Sequence, residues 1–393
     1  MKKLILTFTH LLILSLLIQA QNNIWSLPPN YYDVTGVQPL PIGPYPGDFL
    51  TGLPSGIDYN AQVAQNNHNA MQDAQGNVLF TVIDDVVYDK DGVFVRFLIP
   101  ESCPSQGAGQ VLRGGSEIAL VPDPGDCGAY YVLTSSFANA GAITNGYFNG
   151  YPEYVLITPE VNFTSTNPNY VHNTNGQPLS KCASRFPNFT NPHAGHVQYG
   201  VSQLRDVNNT RMIFVAANRG VASYVLDASG MSYLSYFTIN DYTTTFAVSP
   251  LNTQTTRSEM ELHEFVDAGG NLHYQLAMTY EYGGANITDN YYCGILILEI
   301  NPITGQPIAG TNEYYEYSKP VGVNGSEIPY VTGLEFSPNG QFLYITHKST
   351  ASHPSAIDYY TIGSGGSTPQ ELHAVNSNVS SAQASDFSHS QIE

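Results

Sequence analysis

From residue 331 the chain reads "VTGLEFSPNGQFLYIT". Val331, Leu334 and Phe336 alternate with small or polar residues, Ser337-Pro338-Asn339-Gly340 interrupts, and Phe342, Tyr344 and Thr346 resume the alternation. Period-two alternation on both sides of an Asn-Gly turn predicts a β-hairpin. The phrase recurs upstream. "NAMQDAQGNVLFTVIDDVVYDKDGVFV" (69–95) alternates around Gly76-Asn77 and turns again at Asp89-Lys90-Asp91-Gly92. "GSEIALVPDPGDCGAYYVLTSS" (115–136) turns at Pro124-Gly125-Asp126, and "HVQYGVSQLRDVNNTRMIFVAAN" (196–218) at Asn208-Asn209. "MELHEFVDAGGNLHYQLAMTYEY" (260–282) turns at Gly269-Gly270-Asn271.

Further strands follow each hairpin, as in "CGILILEINPITGQPIAG" (293–310) and "SAIDYYTI" (355–362). A repeated four-stranded antiparallel unit is the sequence signature of a β-propeller blade. One such sheet alone leaves a face bare, whereas radial stacking buries both. The fold expected is therefore all-β: a propeller over 61–393 with five recognisable blades, entered through an extended segment at 21–60. β-Sandwich domains are the alternative, because they also show short alternating strands. The last residues, "SAQASDFSHSQIE", read as the first strand of a sixth copy without its turn, so the chain is expected to stop inside a blade, truncated at its C-terminal end.

Composition agrees with a turn-dense β protein: of 393 residues, 42% are hydrophobic and 11% charged, with 35 Gly, 25 Pro and 28 Tyr. The first twenty residues are of another kind. Lys2 and Lys3 precede an apolar run from Leu4 to Ile18, and Ala20 stands before polar "QNN". That is the layout of a secretory signal peptide over 1–20, short for a membrane span. A secreted or cell-surface location is expected, with no transmembrane segment once the leader is removed. The formal net charge of −19 becomes more negative still when the two lysines leave. Such a chain is repelled by nucleic acid and by anionic lipid surfaces.

Cys103, Cys127, Cys182 and Cys293 have no spacing of a zinc site. In an exported chain they predict one or two disulfides. Cys103 and Cys127 flank a strand-and-turn stretch and form the favoured pair, with Cys182–Cys293 as its corollary; four cysteines allow three pairings.

The phrases "NNIWSLP" after the leader, "DAQGNVLFTV" with "VYDKDG", and "GLEFSPNGQFLYIT" resemble the N-terminal propeller-like regions of large exported proteins of Bacteroidetes-type bacteria. Members of that family often end in a sorting domain for type IX secretion or in a gliding-motility-associated domain. The resemblance spans most of 21–393 and implies a propeller module of a larger cell-surface or secreted protein. It brings no catalytic residues with it.

Candidate chemistry is sparse. Asp84, Asp85, Asp89 and Asp91 lie in "DDVVYDKDG", but the further ligands of a calcium loop are missing from its register. His193 and His196 in "NPHAGHVQYG" lack the Glu and the helix of a zincin. His68, His196, His263 and Glu335 each fall at or beside the first strand of a copy, where a propeller enzyme collects ligands around its axis. Polar residues on inner strands also serve simply to satisfy channel waters. No G-x-S-x-G elbow and no phosphate loop occurs. No cofactor, catalytic residue or metal ligand is assigned. The Tyr clusters "NEYYEYS" (312–318) and "DNYYCG" (289–294) are candidate platforms for an extracellular glycan or protein. The function expected is a non-enzymatic binding or adhesin-type propeller module. The alternatives are a propeller hydrolase, lactonase-like or glycan-cleaving, and a purely structural spacer.

Overall fold

The structure, a computed structural model, describes residues 25–27, 30–33, 36–39, 68–73, 76–84, 86–90, 94–99, 118–137, 149–157, 171–172, 178–182, 184–189, 193–194, 197–204, 208–217, 220–242, 253–255, 260–267, 269–282, 292–318, 331–347, 356–363 and 370–374. The leader-like residues 1–20, Asp85, Asp91, Cys103, His196 and the tail after 374 lie outside them.

Five antiparallel sheets stand in a ring and form a five-bladed β-propeller. Blade 1 runs His68–Gln72, Val78–Ile83, Val86–Asp89 and Phe94–Ile99. Blade 2 runs Ala119–Pro122, Tyr130–Phe137 and Asn149–Ile157, with the two-residue Ser184–Arg185 as its fourth strand. Blade 3 runs Gln198–Val201, Arg211–Ala217, Gly220–Asp227 and Gly230–Thr238. Blade 4 runs Glu261–Val266, Leu272–Tyr282, Tyr292–Ile300 and Glu313–Ser318. Blade 5 runs Val331–Phe336, Phe342–His347, Ala356–Thr361 and Gln370–Ala374. From blade 1 to blade 5 the first strands approach one another in turn, and so line the axis.

Alternation along the strands places one set of side chains toward each neighbouring blade, and four apolar layers result. Phe80, Val82 and Leu98 meet Val132 and Val155 between blades 1 and 2. Leu133 and Phe186 meet Val215 and Tyr224 between blades 2 and 3. Phe214 and Val221 meet Leu276 and Leu298 between blades 3 and 4, and Ile295 and Ala277 meet Leu334 and Ile345 between blades 4 and 5. Each fully buried large side chain contributes roughly 1.5–3 kcal/mol.

The hairpin turns that announce the repeat join the first and second strands of every blade, and they share one device. The residue that closes the first strand carries a carboxylate or hydroxyl that accepts a backbone N–H across the turn: Asp73 from Asn77, Asp123 from Gly125, Ser202 from Met212, Asp267 from Gly269 and Asn271, and Ser337 from Phe342. Such local bonds favour turns over continued strand. Three positions further on, Gly76, Gly270 and Gly340 have φ of 81°, 82° and 65°, which glycine adopts without strain.

The blades depart from a uniform four-stranded plan in three places; in blade 2 the two-residue strand His193–Ala194 also pairs with Asn149–Ile157, His193 opposite Gly150. Val171–His172 and Pro178–Cys182, from the connection inside blade 2, extend blade 1 to six strands. Pro178–Cys182 pairs in parallel with Phe94–Ile99, Ser180 opposite Phe97 and Cys182 opposite Ile99. In blade 4 the short strand Thr253–Thr255 pairs with the far end of Leu272–Tyr282, beside the first strand. Within 21–60, Trp25–Leu27, Asn30–Asp33 and Gly36–Pro39 form a three-stranded meander that meets the first strand of blade 1. Cys127 is a free, exposed cysteine in the first turn of blade 2. No helix among the described residues is long and apolar enough to cross a membrane.

Candidate functional site

Counting back from the turn-closing residue gives each first strand a common frame. Four positions back stand Asn69, Gln198 and His263, and all three reach the following blade. Asn69 Nδ2 donates to the Ile118 carbonyl at 2.7 Å. Gln198 Nε2 donates to the Thr279 carbonyl and hydroxyl at 3.0 and 2.8 Å. The His263 ring lies 5.5 Å from Phe336 and against the Gly340 turn of blade 5. Three positions back the side chains reach the preceding blade instead: Tyr199 donates to the Thr134 carbonyl, and Glu264 accepts from the Gln203 amide.

This frame separates the axial candidates. His263 is four positions before Asp267, Glu335 two before Ser337, and His68 five before Asp73, on the opposite face of its strand. His263 is an interblade packing residue whose burial lowers its pKa. Asp84 and Asp89 stand at opposite ends of the strand Val86–Asp89. Among the described residues no group of three or more His, Cys, Asp or Glu side chains is placed to hold a metal ion.

Two polar clusters escaped the sequence reading. On blade 4, His273 Nδ1 lies 2.7 Å from Glu299 and Nε2 lies 3.1 Å from Asp267, and the ring stacks on Phe265 at 4.9 Å. Bonds to Glu299 first, then to Asp267, raise the His273 pKa. On blade 2, the fully buried Glu153 pairs across strands with Arg185 at 3.5 Å, whose guanidinium lies 3.6 Å over the Tyr151 ring. Both join strands of one blade, as buried or partly buried charges need partners to persist.

Residues 289–291 of "DNYYCG" lie outside the described residues, and in "NEYYEYS" the described tyrosines pack inward. Tyr314 packs against the layer between blades 3 and 4, and Tyr315 against that between blades 4 and 5, 6.3 Å from Tyr360. Among the described residues the exposed tyrosines are Tyr233 and Tyr236, on the outer strand of blade 3, at 45% and 43% exposure. Strict alternation would send residues three apart to opposite faces. Here Tyr233 sits opposite Tyr224 and Ser235 opposite Ser223, so Leu234 is an extra residue, a β-bulge. Tyr236 then falls opposite Ala222, and both rings share the face turned toward blade 2.

Their poses are held from below. Tyr233 meets Tyr224 edge-on at 5.9 Å, and Tyr224 donates to the Pro187 carbonyl at 2.5 Å. Tyr236 lies across Gly220, where a Cβ would stand 1.9 Å from its hydroxyl oxygen. Burial of the inner side, then the nearby Tyr233 and Asp241, push the Tyr236 pKa up. Asp241 is exposed in the turn Ile239–Asp241 and accepts the Thr238 hydroxyl through Oδ2 at 2.6 Å. The only signal in the sequence is "SYLSY", whose meaning depends on the bulge.

No protein-family profile and no curated protein matches the chain. Among solved structures it is similar to a thermostable family-43 glycoside hydrolase at 10% identity, over 76% of this chain and 89% of that one, with a TM-score of 0.27. It is similar to an exo-inulinase from Aspergillus awamori at 13% identity, over 76% of this chain and 60% of that one, with a TM-score of 0.32. It is similar to a PL25 polysaccharide lyase, an ulvan lyase, at 10% identity, over 79% of this chain and 69% of that one, also with a TM-score of 0.32. At TM-scores this low, no activity, substrate or residue role passes from those proteins to this chain.

Proposed function

We propose that this protein is an exported, non-enzymatic binding module that holds an extracellular glycan on the outer face of blade 3. The observation that carries the reading is the bulge at Leu234, which turns Tyr233 and Tyr236 to one face, half-exposed and backed by Tyr224 and Gly220. Flat amphipathic rings already fixed in place offer a sugar large contact area at small entropic cost. A bulge that re-aims a side chain is a recurrent feature of functional edges. Export rests on the leader-like residues 1–20.

Affinity electrophoresis through gels containing soluble polysaccharides tests the reading, with the Tyr233→Ala/Tyr236→Ala variant as the comparison. Retardation of the native protein by at least one glycan, lost in the double variant, is the result expected. Equal mobility of both proteins in every gel overturns it.

A further inference from the structure

We infer that the ligand of the Tyr233–Tyr236 face is a glycan carrying free amino groups, an amino-sugar polymer in its ammonium form; this rests on the glycan reading above. The argument is one of charge complementarity around a neutral aromatic strip. The outer strand "GMSYLSYFT", Gly230–Thr238, carries no charged residue. Both of its ends are closed by carboxylates.

At one end, Asp241 stands in the turn Ile239–Asp241 that directly follows the strand. One of its oxygens, Oδ2, is engaged by Thr238, which orients the carboxylate while leaving Oδ1 for a further donor. At the other end, Asp227 accepts the Ser229 amide and hydroxyl through Oδ1 at 2.7 and 2.5 Å. The strand between them spans about 27 Å at ~3.4 Å per residue, room for a chain of several sugar rings lying along it. The protein as a whole carries a formal charge of −19, which repels uronate and sulfate groups before contact is made. Stacking on the two tyrosines supplies affinity for any pyranose face. The carboxylates add a preference for ammonium over acetamido, and oppose carboxylate.

Isothermal titration of the full chain with three soluble probes tests this: chitosan oligosaccharide, the N-acetylated chitin oligosaccharide of equal length, and alginate oligosaccharide. Chitosan is expected to bind about tenfold more tightly than chitin at low salt, the worth of one charge-assisted bond. The gap is expected to narrow as ionic strength rises. Asp241→Asn is expected to remove most of the gap while leaving chitin binding in place, and Tyr233→Ala/Tyr236→Ala to abolish binding of both. Equal binding of chitosan and chitin, or a preference for alginate, overturns the amino-sugar assignment but keeps the glycan platform. Absence of binding to all three probes and to every polysaccharide gel overturns both.

Discussion

Gln198, in the first strand of blade 3, donates its buried side-chain amide to both the carbonyl and the hydroxyl of Thr279, in the second strand of blade 4. The next residue, Tyr199, reaches the opposite way and bonds the Thr134 carbonyl of blade 2. One turn of a β-strand's alternation thus ties a blade to both its neighbours. Asn69 does the same for blades 1 and 2. Gln198→Leu keeps the volume and removes the donor, leaving Thr279 with lost partners in an interior that water does not reach. A loss of about 1–3 kcal/mol is expected in denaturant unfolding followed by circular dichroism. An unchanged midpoint contradicts the clamp.

Gly270 and Gly340 occupy the same place in the turns of blades 4 and 5 and have similar positive φ, 82° and 65°. Their surroundings differ. A Cβ at Gly270 meets nothing within 4 Å, whereas one at Gly340 would lie 2.5 Å from His263 Nε2. Gly270→Ala is expected to cost about 1 kcal/mol, the backbone penalty alone. Gly340→Ala is expected to cost more, and His263→Ala in the same chain to recover part of the difference. Equal costs contradict the packing of His263 against blade 5.

The His273 clamp makes stability depend on pH. Its folded pKa is raised above the ordinary 6.5 by Glu299 and Asp267. The contribution is therefore complete below the unfolded value and is lost as pH rises through the folded one. Asp267 has a depressed pKa, caused first by the Asn271 side chain, so its contribution is lost only as pH falls into the acid range. Melting temperatures are expected to decline as pH rises from 6.5 through the His273 transition, and to level off above it. His273→Gln is expected to flatten that decline. A native profile already flat there contradicts the clamp.

Gly220 gives the platform its most selective test. A methyl group there would meet the tip of the Tyr236 side chain, which can swing out toward solvent. Gly220→Ala is expected to leave the unfolding midpoint within about 1 kcal/mol of native, a surface-scale effect, while glycan retardation falls. Retained retardation contradicts a role for the Tyr236 pose.

Cys127 is free and exposed. It is expected to react with a maleimide in the folded protein without prior reduction. Labelling that requires reduction instead supports the Cys103–Cys127 bridge anticipated from the sequence.

The turns made the propeller legible. "DAQGN" and "DAGGN", residues 73–77 and 267–271, build the same hydrogen-bond set in blades 1 and 4, since an Asp, a Gly and an Asn at fixed offsets satisfy one another locally. What the pattern could not carry was side-chain and backbone pairing between strands, whether inside one blade or from one blade to the next. The parallel strand lent to blade 1 pairs Ser180 with Phe97, contacts far apart along the chain. His273 meets Asp267 and Glu299 across two strands. The platform failed to show for a sharper reason. Alternation assigns Tyr233 and Tyr236 to opposite faces, and only the extra residue Leu234 brings them together. The Tyr-rich phrases drew attention instead, yet Tyr314 and Tyr315 are packed between blades.

The central claim is that ligand contact lies on the outer face of blade 3 and not at the axis. Hydrogen–deuterium exchange with and without saturating oligosaccharide decides this most directly. Ligand-dependent protection is expected in Gly220–Asp227 and Gly230–Thr238. Protection confined to the first strands, His68–Gln72 and Glu261–Val266, would move the site to the axis and contradict the account.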